Sequence, residues 1–83
     1  MTKKENILCE SLMNQAINRG KEAEECYNEY EKLLKQNEVA KAEIQQRRAD
    51  QLYGECIGIN QVLSTLKFKH NRMTELSKLL WGG

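Results

Sequence analysis

Chemistry needs nucleophiles, bases or metal ligands at workable spacing, and this chain of 83 residues offers few. Its one histidine, His70, and its three cysteines, Cys9, Cys26 and Cys56, carry most of the reactive potential. A cysteine beside an imidazole can serve as a thiolate nucleophile, and Cys and His at short fixed spacings hold zinc. Neither pattern is written here. There is no Cys-x-x-Cys, no Glu-x-x-His of the di-iron bundles and no glycine-rich phosphate loop. Cys9 and His70 come together only if the chain folds back on itself, and that pair would still lack an oxyanion donor. The expectation is a protein that is not an enzyme and takes neither cofactor nor metal. An odd number of scattered cysteines reads as reduced packing residues, which suits a reducing cytosol.

The charged residues suggest recognition instead. The stretch from Glu22 to Glu31 holds five glutamates and no base, and Glu22, Glu25 and Glu29 stack at i, i+3 and i+7 on one helical face. The stretch from Lys67 to Arg72 holds three basic residues and no acid. Lys67, Lys69 and Arg72, with Phe68 and His70 among them and Arg47 and Arg48 elsewhere, could touch phosphates. A formal net charge of only +1 argues against a general nucleic-acid or membrane-surface binder.

These side chains must be carried by helices. Proline is absent, and 30% charged with 6% aromatic residues suits exposed helices with narrow apolar seams rather than a sandwich or barrel. Apolar residues recur in alternating steps of four and three at Cys9, Met13, Ala16, Gly20, Ala23, Tyr27, Tyr30 and Leu34. The alternation resumes at Ala42, Gln45, Ala49, Leu52, Cys56, Ile59, Leu63 and Leu66 and extends to His70, Met73, Ser77 and Leu80, one residue out of phase. Two amphipathic helices separated by a break explain both halves. Thr2 and Glu5 have the spacing of a capping box, and Asn37 is the residue that best accepts a left-handed turn. The helices are therefore expected over about 3–36 and 39–81, with a hinge open near His70–Asn71, where Asn71 could restart a helix. Gly20, inside the first seam, either kinks its helix or admits a large side chain from a neighbour. Gly54 and Gly58, at i, i+4, are either tolerated exposed glycines or a shallow groove for another helix.

The predicted fold is all-α: one antiparallel, coiled-coil-like helical hairpin in a single domain over residues 1–83. Turning near residue 38 pairs positions whose numbers sum to about 77, so that Leu34 meets Ile44, Tyr27 nears Asp50, Ala23 faces Tyr53 and Met13 faces Leu63. Met73, Leu76, Leu79, Leu80 and Trp81 then project beyond the end of the first helix. Such an apolar end folds back as a third helix, meets a second copy in a four-helix arrangement, or holds a different protein. The favoured reading is a homodimer and a small cytoplasmic interaction protein, an adaptor, chaperone or inhibitor of the size common in bacteria and phages. Its candidate partner-binding residues are Leu76, Leu79, Leu80 and Trp81, with Glu22, Glu25 and Glu29 steering the encounter. The alternatives are a nucleic-acid-associated regulator using Lys67, Lys69, Arg72, Arg47 and Arg48, and a coiled-coil segment of a larger assembly. No apolar run approaches the roughly 18 residues that span a membrane, and Met-Thr-Lys-Lys is not followed by a signal-peptide core. Trp81-Gly82-Gly83 has the Trp-x-Gly form of the secreted WXG hairpins, but there the motif occupies the loop between the helices, so three residues are the whole of the likeness.

Overall fold

The structure is a computed structural model that describes residues Met1–Gly82. Among the described residues three helices follow one another: α1 Lys3–Lys35, α2 Val39–Thr65 and α3 Met73–Trp81. At about 1.5 Å per residue, the 33 residues of α1 account for the 52 Å long axis of the molecule. α2 returns along α1, so the chain is all-α and built on a helical hairpin, with α3 laid against it.

Local chemistry sets the helix ends. Thr2 caps α1, its hydroxyl oxygen accepting from the Glu5 N–H at 3.1 Å. The Glu5 carboxylate accepts from the Thr2 hydroxyl at 3.0 Å, rather than from the Thr2 N–H that a full capping box would engage. α1 ends in a Schellman motif. Asn37 is left-handed at φ 61, its N–H donates to the Leu34 carbonyl and that of Glu38 to the Leu33 carbonyl.

The second helix is shorter than the sequence pattern suggests. It stops at Thr65 in another Schellman motif, with Lys67 at φ 55 and the Phe68 N–H donating to the Leu63 carbonyl at 3.0 Å. The break thus spans residues 66–72, which contain the expected hinge at His70–Asn71 but begin four residues before it. Asn71 does not restart the helix as its cap; Arg72 takes that position and makes no side-chain cap. The driving force is Phe68. It follows the left-handed lysine and turns into the core beside Leu63, the apolar contact that accompanies this motif. α3 ends on Gly82 at φ 70, whose N–H donates to the Lys78 carbonyl. Gly83 lies outside the described residues.

The seam of α2 follows its heptad, with Ala42, Ala49, Cys56 and Leu63 all fully buried. The first half of α1 supplies Cys9, Met13, Ala16, Gly20 and Ala23 to the same seam. Beyond Ala23 the seam shifts by one residue, to Cys26 and Leu33, leaving Tyr27 and Tyr30 half-buried and Leu34 at 40% exposure. A strict heptad holds only while two helices supercoil around each other, and α1 leaves that phase where its seam residues are smallest. The expected Leu34–Ile44 pair is not a core contact, since Ile44 is 63% exposed. The rest of the register appears as Tyr27 bonded to Asp50, Ala23 and Tyr53 lining one cleft, and Met13 and Leu63 buried in one cluster.

Candidate interaction surfaces

α3 settles against the hairpin, and this corrects the first candidate surface. Leu76 is 0% and Leu80 4% exposed, packed with Met13, Ile17, Cys56 and Leu63. Leu79 is half-buried over Gly20, where a Cβ would lie 3.2 Å from its Cδ1. Gly20 therefore admits a neighbour's side chain without kinking α1. Of the four apolar residues expected to face a partner, only Trp81 is open, at 71% exposure. A partner reaches Leu76 and Leu80 only if α3 lifts away. Burying such a leucine is worth about 1.5–3 kcal/mol, which explains why the overhang does not stay in water.

Polar contacts hold α3 in register. The Tyr53 hydroxyl donates to the Leu80 carbonyl. Arg72 donates to the Asn14 amide oxygen and, through Nε, to Glu75 at 3.2 Å. Lys21 bridges to Glu75 at 2.9 Å, and His70 Nε2 stands 3.7 Å from Glu10. Lys21, with Arg72 behind it, holds the Glu75 carboxyl below its ordinary range. His70 Nδ1 accepts from the Arg72 N–H, and the ring stacks on Phe68 at 6.0 Å between centroids.

The remaining charged candidates are spread along the rod. Glu22, Glu25 and Glu29 are exposed on α1, and Glu22 stands 3.7 Å from Arg48 across the hairpin. Beside them the Tyr27 hydroxyl donates to Asp50 at 2.6 Å, and this bond chiefly, with some burial, pushes its pKa up to about 12. Arg47 is exposed on the same stretch of α2 as Arg48. Lys67 and Lys69 are exposed in the 66–72 loop, some 20 residues and thus roughly 30 Å from Arg47 along the rod. Arg72 is engaged within the chain, and Phe68 is core rather than an aromatic for stacking bases. The five basic candidates do not form one patch.

A surface that sequence reasoning missed lies on the flank away from α3, at the open end of the hairpin. Met1, Leu8, Leu12 and Leu66 line a cleft of about 220 Å³, and Leu66 continues into a second, of about 260 Å³, with Val62 and Gly58. Met1, Leu8, Val62 and Leu66 are 57%, 58%, 48% and 50% exposed. The seam pattern places Leu66 inside the hairpin, but it faces out together with Val62. The available signal was a second apolar stripe, Leu8 and Leu12 on one helix and Val62 and Leu66 on the other, each at i, i+4 beside the seam. A Cβ on Gly54 or Gly58 would meet nothing within 4 Å, so within one chain both are open glycines. A larger, shallow hollow of about 440 Å³ at the turn end is ringed by Glu29, Lys32, Glu38 and Lys41 and has a more polar wall.

The three cysteines are buried free thiols, and desolvation raises the Cys56 thiol above its ordinary pKa. Among the described residues, no three His, Cys, Asp or Glu side chains gather as a metal site, and no helix is long and apolar enough to cross a membrane. No protein-family model matches the chain, and no curated protein or solved structure shows significant similarity to it.

Proposed function

We propose that the protein acts by binding another protein, as a small helical interaction module without catalysis of its own. The observation that carries this reading is the exposed apolar flank of Met1, Leu8, Leu12, Val62 and Leu66, on a chain that has folded its other apolar segment, α3, into its core. Contiguous apolar surface at one end of a charged rod marks a contact site. Glu22, Glu25 and Glu29 lie toward the other end, where they would steer the approach of a basic surface without adding much affinity. Trp81 is a second exposed anchor, outside both apolar clefts. Buried free cysteines fit a reducing cytosol. A nucleic-acid role has less support, because its basic residues are divided between distant spots and Arg72 is occupied by Asn14 and Glu75.

Photo-crosslinking in the native host tests this. A photoreactive residue at Leu8 or Val62 should give one discrete protein adduct, while the same residue at the exposed control positions Asn28 and Ser77 should not. No adduct at either flank position, or equal adducts at all four, refutes the reading.

A further inference from the structure

We propose that the occupant of the apolar flank is a second copy of this chain, docked antiparallel about a two-fold axis at Leu12 and Leu66. The proposal rests on the interaction reading above and names the partner.

The argument comes from the order of residues along the flank. Glu5, Leu8, Leu12, Gln15 and Arg19 recur in steps of three and four, so they form one line down α1. The line reads acid, apolar, apolar, uncharged polar, base. Leu12 is seven residues from each end, about 10.5 Å along the helix in either direction. An antiparallel copy centred on Leu12 therefore sets Glu5 of one chain against Arg19 of the other, and the two-fold makes the contact twice. Arg19 can accept it. It reaches Glu55 within its own chain through Nε at 2.6 Å and the Gln15 carbonyl through Nη1, while Nη2 makes no hydrogen bond among the described residues. A foreign partner would have to reproduce this pattern, whereas a second copy carries it already.

The other helix agrees with the same centre. Leu66 lines one cleft with Leu12, so it too falls near the axis, and four leucines, two from each chain, would fill the middle. Val62, one turn away, then faces the region of Leu8 in the other copy. Between Glu5 and Arg19 the line contains no charge, so like does not meet like at the centre. The formal net charge of +1 adds no long-range repulsion. α3 packs on the opposite flank, through Asn14, Lys21 and Tyr53, and does not compete for the surface. Several hundred Å² of apolar surface per chain gives a total of roughly 1,000 Å², the low end for a specific interface, so a weak and reversible dimer is expected.

Sedimentation of the full chain from a few to several hundred micromolar should show the mass rising from one chain to two. Leu8→Asp with Val62→Asp, both at exposed positions, should hold the mass at one chain with helicity unchanged. Should that pair fail to fold, Leu12→Cys decides. A thiol on the two-fold should crosslink to its own copy under mild oxidation, while the buried native cysteines stay reduced. Glu5→Lys should weaken the dimer, and adding Arg19→Glu should restore part of it. A wild type that stays monomeric throughout, a dimer indifferent to the aspartates, or a folded dimeric Leu12→Cys that never crosslinks overturns the proposal. If a different protein is captured at Leu8 and Val62 while the chain stays monomeric, self-pairing falls and the interaction reading stands. If neither a copy nor another protein is captured, both fall.

Discussion

Gly20→Ala and Gly54→Ala are the same edit in two settings, and the structure assigns them opposite outcomes. Alanine is better than glycine inside a helix by about 1 kcal/mol. At Gly54 the new Cβ meets nothing within 4 Å, so the gain should appear almost whole. In a domain of this size, 1 kcal/mol raises Tm by about 4–8 °C. At Gly20 the Cβ would sit 3.2 Å from Leu79 Cδ1, 3.3 Å from Leu79 Cβ and 3.4 Å from Cys56 Sγ. Comfortable carbon contacts begin near about 3.5 Å. The Cδ1 can rotate away, but Leu79 Cβ is fixed to the backbone of α3, so the whole helix must back off by a few tenths of an ångström. That loosens Leu76 and Leu80, which are 0% and 4% exposed. Overpacking of this kind costs about 1–3 kcal/mol. Set against the propensity gain, Gly20→Ala should be destabilising by between zero and about 2 kcal/mol. Urea unfolding followed by circular dichroism measures the global change, and hydrogen exchange at the Leu79 and Leu80 amides reports α3 directly. Exchange there should accelerate in Gly20→Ala and not in Gly54→Ala. If both substitutions stabilise equally and α3 exchange is unchanged, α3 is not seated on Gly20 and the account of its docking is wrong.

Three further outcomes can be checked on purified protein. Leu76→Ala should cost about 2–5 kcal/mol because the side chain is fully buried, whereas Trp81→Ala, at 71% exposure, should change the unfolding free energy from urea titration by less than about 0.5 kcal/mol. Lys67→Gly should raise stability by up to about 1 kcal/mol in the same assay, since Lys67 holds φ 55 and a side chain is penalised there. The pH profile of unfolding should show two steps. Glu75 has a lowered pKa, so its contribution is present above the ordinary carboxylate range and fades as pH falls through the lowered value, a step that Glu75→Gln removes. Tyr27 is raised to about 12, so its contribution is full below the ordinary tyrosine pKa, near 10, and fades as pH climbs toward that raised value, a step that Tyr27→Phe removes.

Particular residues explain what could be read from the sequence and what could not. The Thr2–Glu5 start, the left-handed Asn37 and the seam Ala42–Ala49–Cys56–Leu63 are local or strictly periodic, and each is legible without a partner helix in view. The stop at Thr65 was not, because lysine is no signal for a left-handed turn; only the later burial of Phe68 compensates for φ 55 at Lys67. Phe68 lies among Lys67, Lys69 and Arg72, so composition suggested a phosphate-binding segment where the fold needed an anchor. The overhang from Met73 was legible as apolar and in need of cover. Which cover it takes depends on the reach of a seven-residue loop and on the notch at Gly20, neither of which periodicity reports. Leu66 was misplaced for a related reason: a broad apolar arc fits a seam and a flank equally well until the crossing of two helices is known.

The uneven core accounts for where the spare apolar surface ended up. Apart from Leu33, the seam toward the turn is made of Ala23, Cys26, Ala42 and Ala49, which let two backbones close on each other but remove little apolar area from water. The other bulky buried residues, Met13, Ile17, Leu63, Phe68, Leu76 and Leu80, belong to the cluster at the open end, where α3 adds a third layer. A hairpin with so thin a seam is marginal on its own, so stability should be graded along the rod, greatest near Met13 and Leu63 and least near Tyr30 and Gln45. Helices end up thickest where apolar residues are densest, and two helices with a nine-residue third can cover only one flank of that thick end. α3 covers the flank through Asn14 and Lys21. Leu8, Leu12, Val62 and Leu66 remain on the other, not because the core lacked apolar side chains but because the described residues form no fourth helix to lay over them.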